Sequence, residues 1–269
     1  MFGINCSNAA GNQLRSGQIS SGSSGHDVKP QARRIALLRN GVRHGSITRL
    51  ITPWDIGELT QPFVFLGYSE LATGLQPVLG IDPDHNMAIV THVLSHEPLR
   101  TFQLWIGLPP SHDSAMTRNR CRTSRRVCLE SQQAQEDGPV RVMLGEFGRA
   151  RSALAPIVPA LNYFHVRLKD RQSWRYRAPE GHNVTWLAID RGILWSQDGE
   201  RICWEQIALF GDSQGEIEVH AEGDVSFVLG SARRRAHPLA QGDQTFGMSD
   251  TGAAPDETET KLKASVALD

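Results

Sequence analysis

Short β-strand patterns repeated along the second half of the chain restrict its fold more than any other feature. Runs of alternating or β-branched apolar residues recur there at intervals of roughly 8 to 12 residues, with Gly, Asp or Pro between them. No helical periodicity intervenes, which excludes a βαβ fold. The pattern predicts an all-β sandwich or barrel with strands at 140–148, 162–168, 174–177, 184–189, 193–195, 202–210, 216–221 and 225–229.

The first half carries strand patterns of the same kind. Residues 87–94 are rich in apolar and β-branched side chains, and residues 101–108 alternate aromatic or aliphatic with polar or small side chains, as a half-buried sheet requires. A tight turn is expected at Asn40-Gly41 and a polar turn at 53–59. Further strands are predicted at 35–38, 47–51 and 61–68.

A group of carboxylates and imidazoles flanks the strand at 87–94. Side chains two residues apart on an extended segment point the same way, so such groups can converge on one metal ion. Two of the histidines also have a structural explanation, because His85 suits a solvated turn and His92 suits a hydrogen-bonded position in a sheet. The group comprises Asp82, Asp84 and His85 around Pro83, before the strand, and His92, His96 and Glu97 near its end.

The same region resembles the pirin family, whose N-terminal cupin barrel has a His-Pro-His element, a Gly and a Thr-Val-Thr-like strand. Val90-Thr91 fits that strand, and residues 101–106 with Leu108-Pro109 are similar to the family's Gly-Phe-Gln-Leu-Trp-Val and Leu-Pro. The likeness extends over 34–242, through the strings RHGSITRLITPWDIGELTQPFVFLGY, GPVRVMLGEFG, NYFHVRLKD, WRYRAPEGH and EGDVSFVLGSA. The resemblance implies a double cupin, that is, two β-barrel domains.

The chain departs from the family pattern at the ligands. Asp82 and Asp84 stand where the family has its two histidines, and Asn86 stands where it has glycine. Between the two motifs this chain lacks about three or four strands of the usual length of roughly five or six residues. The family's second ligand histidine belongs to the missing segment. The N-terminal barrel is therefore expected to be truncated and to pack against the second barrel, which would cover its unpaired strand edges and apolar faces. The alternatives are poor order or completion by dimerisation.

The resemblance implies a metal site of three His and one Glu around iron, and some family members act on flavonols such as quercetin. Carried over by position, it leaves only Asp82 and Asp84 as metal ligands. His96 and Glu97 are adjacent, so on an extended segment they point to opposite faces and cannot both reach one ion easily. The expectation is therefore no bound cofactor, with iron or another divalent metal only if the family site survives.

The second half is expected to be free of metal, because its histidines form no HxH pair and approach no acidic residue at motif spacing; they are His165, His182, His220 and His237. The resemblance implies the same. Its aromatic residues fall at strand positions and are expected to fill the barrel core rather than stack on a ligand. They are Trp174, Tyr176, Trp186, Trp195 and Trp204.

Composition narrows the function classes. With 28 Lys and Arg against 29 Asp and Glu in 269 residues, bulk charge indicates neither nucleic acid nor membrane as a partner. The scattered cysteines, Cys6, Cys121, Cys128 and Cys203, indicate structural thiols in a reducing, cytoplasmic setting. No apolar run approaches the length of a membrane helix, and the first residues lack the pattern of a secretory signal.

Five segments are predicted. Polar, Ser- and Gly-rich residues 1–33 and polar residues 243–269 are expected to be disordered tails. The truncated N-terminal cupin domain covers 34–110 and the C-terminal cupin domain covers 138–242. The segment 111–137 between them contains TRNRCRTSRR, which has no interleaved aromatics to support nucleic-acid binding and is expected to be a solvated linker.

Three hypotheses about function remain open. The sequence favours a non-catalytic or weakly active pirin-like protein that acts by binding, with a degenerate metal site. The alternative is an iron-dependent quercetin 2,3-dioxygenase-like enzyme that uses Asp82 and Asp84. A non-functional product of an internally deleted gene is the third. Expected partners are another protein, a second copy bound through exposed sheet edges, or a small aromatic ligand.

Overall fold

The computed structural model describes residues 32–71, 87–96, 98–108, 134–152 and 160–235 in full, and the backbone alone at 125–129. These residues form two large β-sheets and a small one, so the predicted all-β class is confirmed. The one described helix, α1 (Gly57–Thr60), lies in the predicted polar turn. None of the helices in these ranges has the length and apolar character needed to cross a membrane.

The first strand, β1 (Ile35–Asn40), pairs with a strand of the second half, at Ile35↔Phe210 and Asn40↔Gln206. The predicted domain division assigns this segment to the N-terminal domain, yet its backbone completes the C-terminal sheet. The chain changes sheets at Gly41, but the tight turn expected at Asn40-Gly41 lies instead at Gly45, between β2 and β3. A Cβ at Gly41 would come within 2.5 Å of the Thr48 side chain, so this crossing favours glycine.

The N-terminal half forms one six-stranded sheet in the order β2-β3-β4-β6-β5-β7. Neighbouring strands are antiparallel except β5 and β7, which are parallel. The predicted strands at 47–51, 61–68, 87–94 and 101–108 are all present. The strands are β2 (Val42–His44), β3 (Ile47–Ile51), β4 (Phe63–Leu71), β5 (Met87–His96), β6 (Leu99–Gly107) and β7 (Arg125–Leu129).

The C-terminal half forms a nine-stranded sheet in the order β1-β16-β14-β17-β12-β9-β8, with β13 also paired to β17 and β15 to β14. A separate hairpin joins β10 (Glu146–Phe147) and β11 (Ala150–Arg151). The remaining strands are β8 (Gln135–Asp137), β9 (Val140–Leu144), β12 (Leu161–Leu168), β13 (Ser173–Tyr176), β14 (Val184–Ser196), β15 (Arg201–Ile202), β16 (Gln206–Phe210) and β17 (Ile217–Ala232).

Two long strands replace predicted pairs of short ones. The sequence predicts breaks near Gly192 and Gly223, but β14 and β17 run through both points. The pairing of β14 with β17 shifts register between Ile189 and Ile193, and Gly192 has φ of +87°, so the expected turn is absorbed as a bulge.

The predicted linker and tails also need correction. Strands β7 and β8 lie within 111–137, so this segment contributes to both large sheets and is not purely a solvated linker. Arg33, expected in a disordered tail, is only 2% exposed and donates hydrogen bonds to the carbonyls of Gly211 and His182, at 2.7 and 3.1 Å. The rest of that tail, residues 1–31, and the tail at 243–269 lie outside the described residues.

Three apolar clusters organise these sheets. The joint cluster lies between the two large sheets and brings Phe63, Leu66 and Phe102 of the N-terminal sheet together with Tyr163 and Trp186 of the C-terminal one. The predicted packing of the N-terminal half against the second half is thereby confirmed for the described residues. A second cluster, the C-terminal core, is built from the nine-stranded sheet together with Ala150 and Phe147 of the small hairpin. The third, the outer-face cluster, consists of Val64, Phe65, Met87, Ile89 and Trp105.

Candidate ligand-binding site between the sheets

The predicted metal ligands Asp82 and Asp84 lie outside the described residues, as do His85 and Glu97. The description resumes at Met87, the first residue of β5. Met87 and Ile89 belong to the outer-face cluster, on the side of the sheet that faces away from the C-terminal half. His96 is the last residue of β5 and is exposed.

The outer face supplies poor ligands for iron. Because side chains alternate along a strand, Thr91 lies on the same face as Met87 and Ile89, with Gln103 opposite it on β6. Hydroxyl and amide oxygens are weaker ligands for a redox metal than imidazole or carboxylate. Among the described residues there is no group of three or more His, Cys, Asp or Glu side chains that could hold a metal ion. The described residues of this face therefore do not by themselves provide a set of iron ligands.

His92 lies on the other face of β5, against the C-terminal sheet, where its ring meets that of His165. The ring centroids are 4.8 Å apart and the planes are at 62°. His165 bonds Ser226 Oγ through Nε2 at 2.9 Å. Neither ring nitrogen of His92 has a hydrogen-bond partner within the described part of the chain, so the predicted hydrogen-bonded role is wrong. His92 therefore faces the C-terminal sheet, on the opposite face of β5 from Met87 and Ile89.

Both imidazoles are held neutral by their surroundings. Burial lowers the pKa of His92 to about 3, with further lowering by Arg141 and Arg167. Burial also puts the pKa of His165 well below its usual value, and the neighbouring His92 and nearby arginines act in the same direction. A neutral pair avoids the cost of placing charge between the two sheets.

An ion pair crosses the same end of the interface between the sheets. Arg100 Nη1, on β6, lies 2.6 and 2.8 Å from the two carboxylate oxygens of Asp190, on β14. The side chains are 11% and 2% exposed respectively, so both charges are largely withdrawn from water. The pair therefore fixes the two sheets relative to each other at a defined point.

Next to this ion pair lies the junction cavity, a cleft of about 310 Å³ between the N-terminal sheet and the turn that joins β15 to β16. Glu205, in that turn, has φ of +61°, a left-handed conformation that is uncommon for a residue with a side chain. The N-terminal sheet contributes Arg43, Thr48, Tyr68 and Glu70 to its wall, and the turn contributes Trp204 and Glu205.

Hydrogen bonds order the cavity wall. Thr48 Oγ1 donates to Glu205 Oε1 at 2.7 Å, across the two sheets. The Tyr68 hydroxyl donates to Glu70 Oε2 at 3.2 Å, and the Tyr68 ring meets that of Trp204 edge to face. Burial, Asp190 and Glu70 raise the pKa of Tyr68, which keeps its hydroxyl protonated as a donor.

Trp204 corrects the expectation that the aromatic residues of the second half fill its core. Trp174, Tyr176 and Trp186 are buried as predicted, but Trp204 is 44% exposed and Trp195 37% exposed. The Trp204 ring lies at 85° to that of Tyr68, with centroids 6.3 Å apart. The sequence offered one signal: Trp204 is followed directly by Glu205, a charge that does not suit the continuous strand predicted at 202–210.

Comparison with known proteins identifies similar structures but no similar sequences. No protein-family model and no curated protein matches the chain. A quercetin 2,3-dioxygenase from Acinetobacter baumannii is 18% identical, with a TM-score of 0.59, and the alignment covers 87% of this chain and 96% of that one. GK1651 from Geobacillus kaustophilus is also 18% identical, with a TM-score of 0.57 over 78% of this chain and 100% of that one.

A second structure of a quercetin 2,3-dioxygenase from A. baumannii is 14% identical and covers 77% of this chain and 79% of that one, with a TM-score of 0.51. At such identities the likeness establishes the fold alone. The sheet order, the joint between the halves and these alignments agree with one another. The chain therefore has the all-β fold that its sequence predicts, similar to that of these quercetin 2,3-dioxygenase structures, with a six-stranded sheet as the described part of its N-terminal half.

Proposed function

We propose that this double cupin acts by binding a ligand or partner and does not catalyse iron-dependent oxygenation. The observation that carries the proposal is the outer-face cluster. Phe65 and Trp105 are 0% and 1% exposed there, and Met87 and Ile89 occupy the positions of β5 nearest the predicted ligands. An oxygenase needs a redox ion with open coordination positions for oxygen and substrate, and tightly packed apolar side chains offer neither donors nor space.

The metal content of the purified protein tests this proposal. We expect much less than one iron per chain after expression in iron-supplemented medium, and no oxygen uptake above the protein-free rate when a flavonol is added. The double variant Asp82→Ala/Asp84→Ala should contain the same small amount of iron. One iron per chain in the natural sequence, lost in the double variant, would refute the proposal.

An iron-dependent quercetin 2,3-dioxygenase-like activity is the second candidate function. It is favoured by the alignment that covers 96% of a structure described as a quercetin 2,3-dioxygenase. Asp82 and Asp84 would then supply carboxylates to the ion, with the remaining ligands from outside the described residues. Oxygen uptake that depends on both iron and a flavonol, and that disappears in the double variant, would establish this activity.

Self-association remains a further proposal for the binding role. Strand β2 lies at one edge of the six-stranded sheet, and all of its residues, Val42–His44, are exposed. An unpaired strand edge offers backbone groups to another chain. Light scattering coupled to gel filtration would give the mass in solution. A monomer that unfolds in one cooperative transition would argue against both self-association and the product of a damaged gene.

A further inference from the structure

We propose that the junction cavity binds a small organic cation, with its ammonium group between the Trp204 and Tyr68 rings and the carboxylates of Glu70 and Glu205. The inference rests on the proposed binding function and names the ligand class and the site. The cavity lies on the side of the N-terminal sheet that faces the C-terminal half, whereas the outer-face cluster is on the opposite side. Neither Asp82 nor Asp84 is among the described residues that line it.

Aromatic geometry is the first support. Trp204 comes from the C-terminal half and Tyr68 from the N-terminal sheet, and the 85° between their planes makes them two walls of a corner. Trp204 is left 44% exposed although other large aromatic residues nearby, such as Phe102, are fully buried. Corners of aromatic rings are the usual recognition element for alkylated ammonium groups, because the ring faces carry partial negative charge.

Charge is the second support. Glu70 and Glu205 outnumber Arg43 in the wall, so the charged side chains that line the cavity sum to one negative charge. A carboxylate offers about four acceptor sites. One bond from Thr48 to Glu205 and one from Tyr68 to Glu70 therefore leave acceptor capacity for a ligand. An anionic ligand would meet repulsion from both carboxylates.

Preorganisation is the third support. The Trp204 ring packs edge to face with Tyr68, and the Tyr68 hydroxyl bonds Glu70, so three wall residues are in contact before any ligand arrives. The backbone of Glu205 is held at φ of +61°, and its carbonyl accepts a 2.7 Å hydrogen bond from the Gly41 N–H. Rigid placement of this kind reduces the ordering cost of binding.

The site can be tested by calorimetric titration of the full chain with choline at low ionic strength. Its neutral isostere, 3,3-dimethylbutan-1-ol, has the same shape without the charge and serves as the matched ligand. We expect choline to bind at least tenfold more tightly than the alcohol. Glu205→Gln should weaken choline binding several-fold and Trp204→Leu should remove it, while Glu180→Gln, an exposed carboxylate outside the cavity, should leave it unchanged.

Arg43→Gln gives a test with the opposite sign. Arg43 is on the exposed edge strand β2, so its replacement should leave the fold intact even if Trp204→Leu fails to fold. Removing its positive charge should tighten choline binding several-fold. Equal binding of choline and its isostere, tighter binding of benzoate or of a neutral phenol than of choline, or no choline binding would overturn the proposal. Metal content and oxygen uptake are measured separately, so such a failure would leave the proposed non-catalytic function standing.

Discussion

The two large sheets differ in what their second faces contact. Each uses one face to build the joint cluster. The other face of the nine-stranded sheet carries the C-terminal core, in which residues from distant strands such as Val140, Leu194 and Ile217 belong to one cluster. Among the described residues, the other face of the six-stranded sheet carries the outer-face cluster of five side chains.

This contrast separates a half with its own core from a half that depends on its neighbour. A sheet whose larger apolar cluster is shared with a neighbouring sheet loses much of its buried apolar surface when the two separate. The N-terminal half is therefore expected to fold only together with the joint, and disruption of the joint should affect the whole molecule.

Replacing Trp186 with alanine tests that dependence and should have the largest effect. Trp186 is fully buried in the joint cluster, edge-to-face with Phe63 at 5.2 Å. Losing its ring should lower the free energy of unfolding by about 3–5 kcal/mol. Urea denaturation followed by circular dichroism gives the value.

Trp195→Ala is the matched control, because Trp195 lies on the same strand but is 37% exposed. It should lower the free energy of unfolding by about 1 kcal/mol or less. If urea denaturation of Trp186→Ala showed two separate unfolding transitions, of which only one was shifted, the two halves of the molecule would fold independently.

Acid should weaken the joint through His92 and His165. The native pKa of His92 is about 3, and that of His165 is also well below normal, whereas an unfolded imidazole has a pKa of about 6.5. Below pH 6.5 the unfolded chain therefore binds protons that the native state does not. The free energy of unfolding should fall by about 1.4 kcal/mol per pH unit for each imidazole, or roughly 2–3 kcal/mol for the pair between pH 6 and pH 5.

His92→Leu sharpens the acid prediction. Both His92 ring nitrogens are without partners among the described residues, so an apolar side chain should leave stability at pH 7 unchanged or higher. The slope of unfolding free energy against pH, measured by urea denaturation at several pH values, should correspond to about one fewer proton taken up on unfolding. Burial also lowers the pKa of His182 to about 4, so His182 contributes to the pH dependence of stability in both the natural sequence and the variant. An identical acid slope in the variant would contradict the assignment.

Local patterns explain why most strands could be predicted. Alternation at 101–108 reflects one face in the joint, with Phe102 and Leu104, and another on the outer side, with Trp105, and this periodicity is visible in any short window. Strand ends were less predictable, because a glycine such as Gly192 marks either a turn or a bulge, and only the pairing of β14 with β17 decides between them.

Contacts distant in sequence could not be predicted from the chain. Nothing near Ile35 indicates that its strand pairs with one that ends at Phe210. The pairing of His92 with His165 depends on two sheets that pack together, so no spacing rule reveals it. Resemblance supplied Asp82 and Asp84, whereas the junction cavity depends on Trp204, which was assigned to the core. The fold was thus easier to predict from sequence than the site. Periodicity shows which side chains share one face of a strand, but it does not show which other sheet packs on that face.

Strand β1 offers a smaller test of the same comparison, because it precedes the N-terminal sheet in sequence but belongs to the C-terminal one. Leu38 is partly buried against the C-terminal core. Leu38→Ala should lower the free energy of unfolding by about 1–2 kcal/mol, below the cost of a fully buried leucine. Hydrogen exchange should accelerate first at the amides of β16, its partner strand. Earlier acceleration in β3 or β4 would place β1 with the N-terminal half instead.

The smallest effect is expected at Thr48, whose hydroxyl links the N-terminal sheet to Glu205. Thr48→Val keeps the side-chain volume and removes one hydrogen bond, which should lower the free energy of unfolding by about 1 kcal/mol. Thr101→Val is the control within one sheet, because Thr101 bonds Ser69 on the neighbouring strand at 2.8 Å. The two variants should lose similar amounts of stability, but only Thr48→Val should change the fluorescence of Trp204. That fluorescence is the difference in emission between each protein and the same protein carrying Trp204→Phe. A hydroxyl that crosses between the sheets orders the turn that carries Trp204, whereas one within the N-terminal sheet does not reach it.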